Sequence, residues 1–143
     1  MQTTTLFPEL EAFVQRRSAF FDEILAGRKR TLEQVAAFIR DREAVGQETS
    51  LTFICTHNSR RSHMSQLWAQ AAAFRAGHGY VKMFSGGTEA TALNHRAVAA
   101  LQRAGFEIDA PAGGEDNPRY QVRYAEETPP LAAFSKRYKE SPN

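Results

Sequence analysis

The sequence predicts an α/β protein built on a partial doubly wound parallel sheet, with a helical extension before it and a β-hairpin after it. Two apolar, β-prone segments, 51–55 and 80–84, flank a helical pattern at 62–76, an order typical of a right-handed βαβ unit. Residues 1–48 carry helical periodicity only. We therefore assign 1–48 to a helical extension and 49–143 to the α/β domain.

Two helices are predicted in the extension, from Phe7 to about Leu25 and from Leu32 to about Val45, because apolar residues recur there at helical spacing. The residues that predict their ends are Gly27 and Gly46 as C-caps, and Thr31 with Gln34 as a capping box. The sequence leaves three roles open for this pair: packing on the sheet, shaping the rim of a site, or forming a dimer surface.

Turn residues and periodicity predict the remaining elements. Ser62 is the expected N-cap of the helix at 62–76. The elements expected after the second strand are a turn at Ser85-Gly86-Gly87-Thr88, a helix from Asn94 to Ala104, a short strand from Phe106, a loop at 110–118, and hairpin strands at 119–124 and 131–138.

Composition limits the class of protein. At 143 residues and 16.0 kDa, with 42% hydrophobic and 24% charged residues, the chain suits one folded domain. A net charge of +2 is too small to indicate nucleic-acid binding, and no apolar run reaches the roughly 18 residues of a membrane span. A single cysteine and no recognisable secretion signal predict a cytoplasmic protein without disulfides.

The segment from Cys55 to Ser62 is the candidate site. It joins a strand to a helix N-terminus, where free backbone N–H groups and the helix dipole favour anions. Such a site lowers the pKa of a thiol, and the fork of Arg61 can hold two oxygens of a phosphate or arsenate ion. The residues expected to form the oxyanion-binding loop between them are Thr56, His57, Asn58, Ser59 and Arg60.

Three other interpretations of Cys55 stand beside this one. A lone cysteine after an apolar strand is often a buried structural residue, but two arginines, an asparagine and three hydroxyl groups lie within the next seven residues. Cys55 with His57 and His63 would leave a zinc site incomplete, so no metal or cofactor is predicted. A Cys–His dyad remains an alternative way to activate the thiol.

The order Cys55-Thr56-His57-Asn58-Ser59-Arg60-Arg61-Ser62 resembles the C-x-G-N-x-C-R-S loop of low-molecular-weight protein tyrosine phosphatases and of arsenate reductases with the same phosphotyrosine phosphatase I-like fold. Ser85-Gly86-Gly87-Thr88 is similar to the family's S-A-G-T segment. The resemblance covers about residues 50–109. Two positions depart from it: His57 stands where the family has glycine, and Arg60 where it has a second loop cysteine.

The resemblance implies roles for individual residues. Cys55 would be the nucleophile, Arg61 would bind the oxyanion, and Ser62 would hold the sulfur as thiolate. Asn58 and Ser85 would hydrogen bond each other and support the loop. The family's general acid, in an Asp-Pro motif, has no counterpart, so the acid is unknown. Asp116 is the candidate on a loop, and Asp109 is the other aspartate after the site.

Three functions follow as alternatives: hydrolysis of phosphotyrosine or aryl phosphates through a phosphocysteine, arsenate reduction in the same pocket, and non-catalytic phosphate binding or assembly. The expected ligands are phosphate, arsenate or sulfate-like oxyanions. The expected substrates are a phosphoprotein or a small aryl phosphate, and we expect neither nucleic acid nor a membrane as a partner. The strand that leads into the oxyanion-binding loop is normally central in such a sheet. We therefore expect that the chain is a fragment, or that a homo-oligomer or strand-swapped dimer supplies the missing strands.

Overall fold

The computed structural model describes residues 4–111 and 113–141 and shows a mixed α/β fold. The elements in chain order are α1 (Pro8–Ser18), a 3₁₀ turn (Phe21–Glu23), α2 (Ala26–Ala44), β1 (Ser50–Cys55), α3 (Arg61–Arg75), β2 (Lys82–Gly87), α4 (His95–Ala104), β3 (Glu107–Asp109), β4 (Tyr120–Arg123), β5 (Leu131–Ala133) and a second 3₁₀ turn (Tyr138–Glu140). Within the described ranges, no helix is both long and apolar enough to cross a membrane.

The predicted βαβ unit is confirmed. Strands β1 and β2 pair in parallel, with a register that runs from Ser50 opposite Lys82 to Cys55 opposite Gly87. The second strand begins later than predicted and continues through Gly87, so the glycines expected to form a turn lie in the sheet. Gly86 is required there because a Cβ atom would come within 2.3 Å of the Tyr138 Cα.

The predicted C-terminal hairpin is confirmed as β4 and β5, and β3 joins it to make a three-stranded antiparallel sheet. The second hairpin strand ends at Ala133 rather than at Tyr138. Beyond it the chain turns back to β2, where the Gly87 N–H donates to the Lys136 carbonyl at 2.8 Å and Gly87 forms a parallel bridge with Arg137. This return brings residues 134–137 beside the end of β1.

The N-terminal helices differ in how they pack. Leu10 of α1 is completely buried in the main hydrophobic core, together with Leu101 of α4. Gly105, which ends α4 with a φ of 120°, makes this contact possible because a Cβ atom would lie 2.3 Å from the Leu10 nitrogen. By contrast, α2 has no fully buried residue and leaves Leu32, Val35 and Phe38 exposed.

Two of the predicted ends of the N-terminal helices were wrong, the end of the first helix and the start of the second. The predicted start at Phe7 agrees with the structure, where Phe7 is the N-cap of α1, and so does the end at Gly46, whose φ of 71° follows α2. The first helix stops at Ser18, and Gly27 lies inside α2 rather than capping α1. Thr31 is also inside α2, where its hydroxyl donates to the Gly27 carbonyl at 3.2 Å instead of capping. A glycine inside a helix costs only about 1 kcal/mol relative to alanine, so it does not force an end.

Candidate active site

Residues 55–62, the oxyanion loop, connect β1 to α3 with their carbonyl groups turned outward. Three neighbouring segments, at 88–89, at Asn94 and at Ser135, donate hydrogen bonds to these carbonyls. The pairs are Thr88 N to Cys55 O (3.2 Å), Glu89 N to Thr56 O (2.9 Å), Ser135 Oγ to His57 O (2.8 Å) and Asn94 N to Ser59 O (2.9 Å). With its carbonyls held outside, the loop directs backbone N–H groups toward its centre.

The thiol of Cys55 lies at that centre. Its Sγ is 3.0 Å from the Ser62 Oγ. It also accepts hydrogen bonds from the backbone N–H groups of Ser62, Asn58 and Ser59. Partial burial tends to raise the pKa of this thiol, but the Ser62 hydroxyl and the backbone donors together outweigh burial and hold the pKa below its ordinary value. The arrangement favours the thiolate form of Cys55.

Asn58 holds the loop in its shape. It is the one non-glycine residue in the described ranges with a positive φ, 48°, a conformation that asparagine tolerates better than most residues. Its side chain is completely buried: Nδ2 donates to Ser62 Oγ at 2.7 Å, and Oδ1 accepts from the Lys136 backbone N–H at 3.0 Å. The predicted pairing of Asn58 with Ser85 is replaced by a link through Lys136, whose Nζ lies 3.5 Å from Asn58 Oδ1 and from Ser85 Oγ.

Ser62 is not the N-cap of α3. The helix begins at Arg61, and Arg60 occupies the N-cap position without a side-chain cap. Ser62 therefore lies in the first turn, where its buried hydroxyl faces the sulfur and the Asn58 amide. One hydroxyl cannot also cap the helix from that position, so its role toward the sulfur replaces the predicted capping role.

The sulfur opens into a pocket of about 270 Å³. The lining residues are Cys55, His57, Ser59, Arg60, Arg61, Thr91 and Asn94. Two guanidinium groups make this pocket cationic, and its volume suits a tetrahedral oxyanion. Thr56, by contrast, is exposed and does not line it. The described lining contains no carboxylate.

The histidines of the site do not form the alternative dyad with Cys55. His57 places its Nε2 3.4 Å from a carboxylate oxygen of Glu89 at the rim. His63 is buried, with its Nδ1 3.4 Å from Ser85 Oγ. In the part of the chain that the structure describes, the side-chain hydrogen-bond partner of the Cys55 thiol is a hydroxyl and not an imidazole.

The candidate acid Asp116 is exposed and does not line the pocket. Its neighbour Asn117 is fixed, because the Asn117 side chain donates to the Ser135 carbonyl at 2.8 Å and accepts from the Ser135 N–H at 3.1 Å. Asp116 thus lies in a loop that Asn117 anchors to Ser135, beside the oxyanion loop, and its role as the acid stays a prediction.

Sequence reasoning missed four residues that frame the site: Thr91, Asn117, Ser135 and Lys136. Ser135 is their centre, since its hydroxyl donates to the His57 carbonyl and accepts from the Thr91 N–H at 2.7 Å. Alternation between polar and apolar residues suggested a strand at 131–138 and gave no signal that Ser135 and Lys136 are buried. The one hint in the sequence is that two polar residues, Ser135 and Lys136, directly follow the apolar segment that ends at Phe134.

The burial of His63 predicts a pH dependence of stability. Burial and the neighbouring positive charge of Lys136 lower the pKa of His63 to about 4, from 6.5 in the unfolded chain. Because only the unfolded chain binds this proton between pH 6.5 and 4, stability should fall as pH drops through that window, by on the order of 3 kcal/mol. Chemical denaturation at pH 7 and pH 4.5 measures the fall. The fall in stability should be smaller in His63→Gln. It should be unchanged in His95→Gln, because His95 is an exposed residue on α4. Equal pH slopes in the wild type and both variants would contradict the prediction.

The structure thus places a cysteine in a pocket lined by two arginines, at the end of the first strand of a βαβ unit. In a comparison with protein-family models, residues 50–118 match the model of low molecular weight phosphotyrosine protein phosphatase. This match confirms the resemblance and supports a cysteine enzyme of the phosphatase and arsenate reductase type. Neither the curated proteins nor the solved structures that were searched gave a match.

Proposed function

We propose that this protein hydrolyses aryl phosphate monoesters, phosphotyrosine among them, with Cys55 as the nucleophile. One observation carries the proposal: the Cys55 sulfur is hydrogen bonded as a thiolate would be, at the base of a pocket that Arg60 and Arg61 line. A negatively charged nucleophile and a cationic pocket are what attack on a phosphate dianion requires. The family match at residues 50–118 supports the same chemistry.

The proposed reaction has two steps. The thiolate attacks phosphorus, an S–P bond forms, and the P–O bond to the aryl group breaks with its electron pair leaving on the phenolate oxygen. Water then attacks phosphorus and loses its proton, the S–P bond breaks, and inorganic phosphate leaves the regenerated thiolate. Arg61 and the loop N–H groups stabilise the charge that spreads over the equatorial oxygens in both steps. A reducing, cytoplasmic environment would keep Cys55 as thiol, and we propose that location.

Arsenate reduction is the second candidate, and the carboxylate-free lining of the pocket favours it. Cys55 would attack arsenic and displace hydroxide, which leaves as water once protonated by solvent. An external small-molecule thiol would then attack the Cys55 sulfur: a disulfide forms, the S–As bond breaks, and its electron pair reduces arsenic(V) to arsenite. A second external thiol would release Cys55. This route needs no general acid for an alcohol leaving group.

Turnover of p-nitrophenyl phosphate without thiol separates these functions. Because p-nitrophenolate leaves without a proton, we expect hydrolysis even if no acid reaches the pocket, and much slower hydrolysis of alkyl phosphates with poor leaving groups. Release of p-nitrophenol that inorganic phosphate and arsenate inhibit competitively would support the phosphatase. Arsenite release that requires added thiol, with no p-nitrophenol, would support the reductase. Phosphate binding without either reaction would overturn both in favour of a binding module.

A further inference from the structure

Lys136 is an unusual residue for the place it occupies. Its side chain is only 3% exposed, yet its ammonium group contacts neutral atoms alone: the Phe134 carbonyl at 3.2 Å, and Asn58 Oδ1 and Ser85 Oγ at 3.5 Å each. No carboxylate pairs with it in the described part of the chain. Burial of an unpaired cation is costly, and burial lowers the pKa of Lys136 to about 8.

We propose that Lys136 is a positioning residue that holds Cys55 as a thiolate through a fixed chain of hydrogen bonds. The chain runs from the ammonium group to the Asn58 side-chain amide, then to the Ser62 hydroxyl, and then to the Cys55 sulfur. The proposal rests on the function proposed above, because it concerns the activation of the same nucleophile.

The direction of each bond follows from the donors available. The Lys136 backbone N–H and its ammonium group are donors only, so the oxygen of the Asn58 amide must face them and its nitrogen must face Ser62. The Ser62 oxygen therefore accepts a hydrogen bond from Asn58 at 2.7 Å. Its own hydrogen is then free to be donated to the Cys55 sulfur, 3.0 Å away.

The positive charge of Lys136 strengthens this chain in two ways. It polarises the Asn58 amide, which makes the amide nitrogen a better donor to Ser62, and hydrogen bonds in such chains reinforce one another. It also adds positive potential near a site whose natural counter-charge is the Cys55 thiolate. In this view the buried ammonium group lacks a carboxylate because the thiolate and a bound oxyanion supply its counter-charge.

Other charged and titratable groups around the sulfur also influence the titration of Cys55. They are Arg60, Arg61 and His57 in the oxyanion loop, Glu89 beside His57, and the buried His63 on α3. All of them remain in a Lys136 variant. Lys136 also lowers the pKa of His63, so the loss of Lys136 changes the titration of that histidine. A change in the titration of Cys55 that persists in a His63→Gln background can therefore be assigned to Lys136.

The test is the rate of Cys55 alkylation by iodoacetamide as a function of pH, since only the thiolate reacts. In the wild type we expect a midpoint below the ordinary thiol value of about 8.5. In Lys136→Met the midpoint should rise by about one unit, which makes alkylation roughly tenfold slower at a pH well below both midpoints. Lys136→Gln, which keeps donors but loses the charge, should fall between the two. The matched control Lys139→Met removes an exposed lysine from the same segment and should behave as wild type.

Circular dichroism establishes that each variant is folded, and Lys136→Gln carries the test if Lys136→Met does not fold. A Ser62→Ala background decides whether the effect passes through the chain: there, Lys136→Gln should add only a smaller shift, the part that comes from the positive potential of Lys136. A wild-type midpoint near 8.5 would overturn the proposed function and this inference with it. A depressed wild-type midpoint that the Lys136 variants leave unchanged, or an equal shift in the Ser62→Ala background, would overturn this inference alone.

Discussion

Replacing Cys55 by serine should abolish turnover of p-nitrophenyl phosphate while the protein still binds inorganic phosphate. The serine hydroxyl is not ionised at neutral pH, and removal of a catalytic nucleophile reduces kcat by about 10⁴-fold or more. Binding should stay equal or become tighter, because a thiolate at the base of the pocket repels a phosphate dianion and a neutral hydroxyl does not. Steady-state kinetics and isothermal titration with phosphate measure the two effects separately.

The matched control is Ser65→Ala on α3, which alters an exposed residue outside the pocket lining and should keep full activity. Cys55→Ser that retains turnover within tenfold of the wild type would show that the reaction does not pass through this sulfur. Loss of phosphate binding in a folded Cys55→Ser protein would show instead that the loop does not form the anion site without the thiol.

The oxyanion loop was predictable because its determinants are contiguous. A strand that ends on Cys55, a short polar loop and a helix N-terminus lie within a dozen residues, and local geometry alone turns the loop N–H groups toward one point. Asn58 fits the same logic, since its positive φ and its contact with Ser62 both arise within the loop. Helix α4 was also predictable, because Asn94 caps it through a hydrogen bond to the Arg96 N–H.

The support around the loop was not predictable, because it comes from distant parts of the chain. Ser135 bonds the His57 carbonyl and Lys136 bonds Asn58, each across 78 residues of sequence. Nothing in the local pattern of 131–138 distinguishes a lysine that is buried beside the oxyanion loop from one on a solvated strand. The position depends on where β5 ends and on how the chain returns to β2, and those are properties of the tertiary fold.

The second strand shows how a local preference can mislead. Two consecutive glycines predict a turn, yet Gly86 and Gly87 lie in β2. Glycine is needed at both positions because neighbouring backbone passes too close for a side chain. The sheet hydrogen bonds of β2 to β1 outweigh the weak strand preference of glycine. The glycines therefore mark a place where two segments meet, and Gly87 is the one that meets the oxyanion loop.

Substitution of Gly87 by alanine should disable the site through the loop backbone. A Cβ atom there would lie 2.7 Å from the Thr56 carbonyl oxygen and 2.8 Å from the Asn58 nitrogen, so the loop must move. Displacement of a catalytic group by about 1 Å can reduce the rate about 10²-fold. We expect a loss of that order in kcat/KM for p-nitrophenyl phosphate, weaker phosphate binding, and a Cys55 alkylation midpoint closer to that of an ordinary thiol.

The control for this change is Gly114→Ala, which adds the same methyl group at an exposed loop position with no heavy atom within 4 Å. It should leave kinetics and alkylation unchanged. Thermal unfolding of Gly87→Ala separates a local from a global effect: overpacking of this kind costs about 1–3 kcal/mol, which lowers the melting temperature without unfolding the protein at 25 °C. A folded Gly87→Ala protein with wild-type activity would mean that the loop tolerates movement, and that the outward hydrogen bonds of its carbonyls do not set the position of the nucleophile.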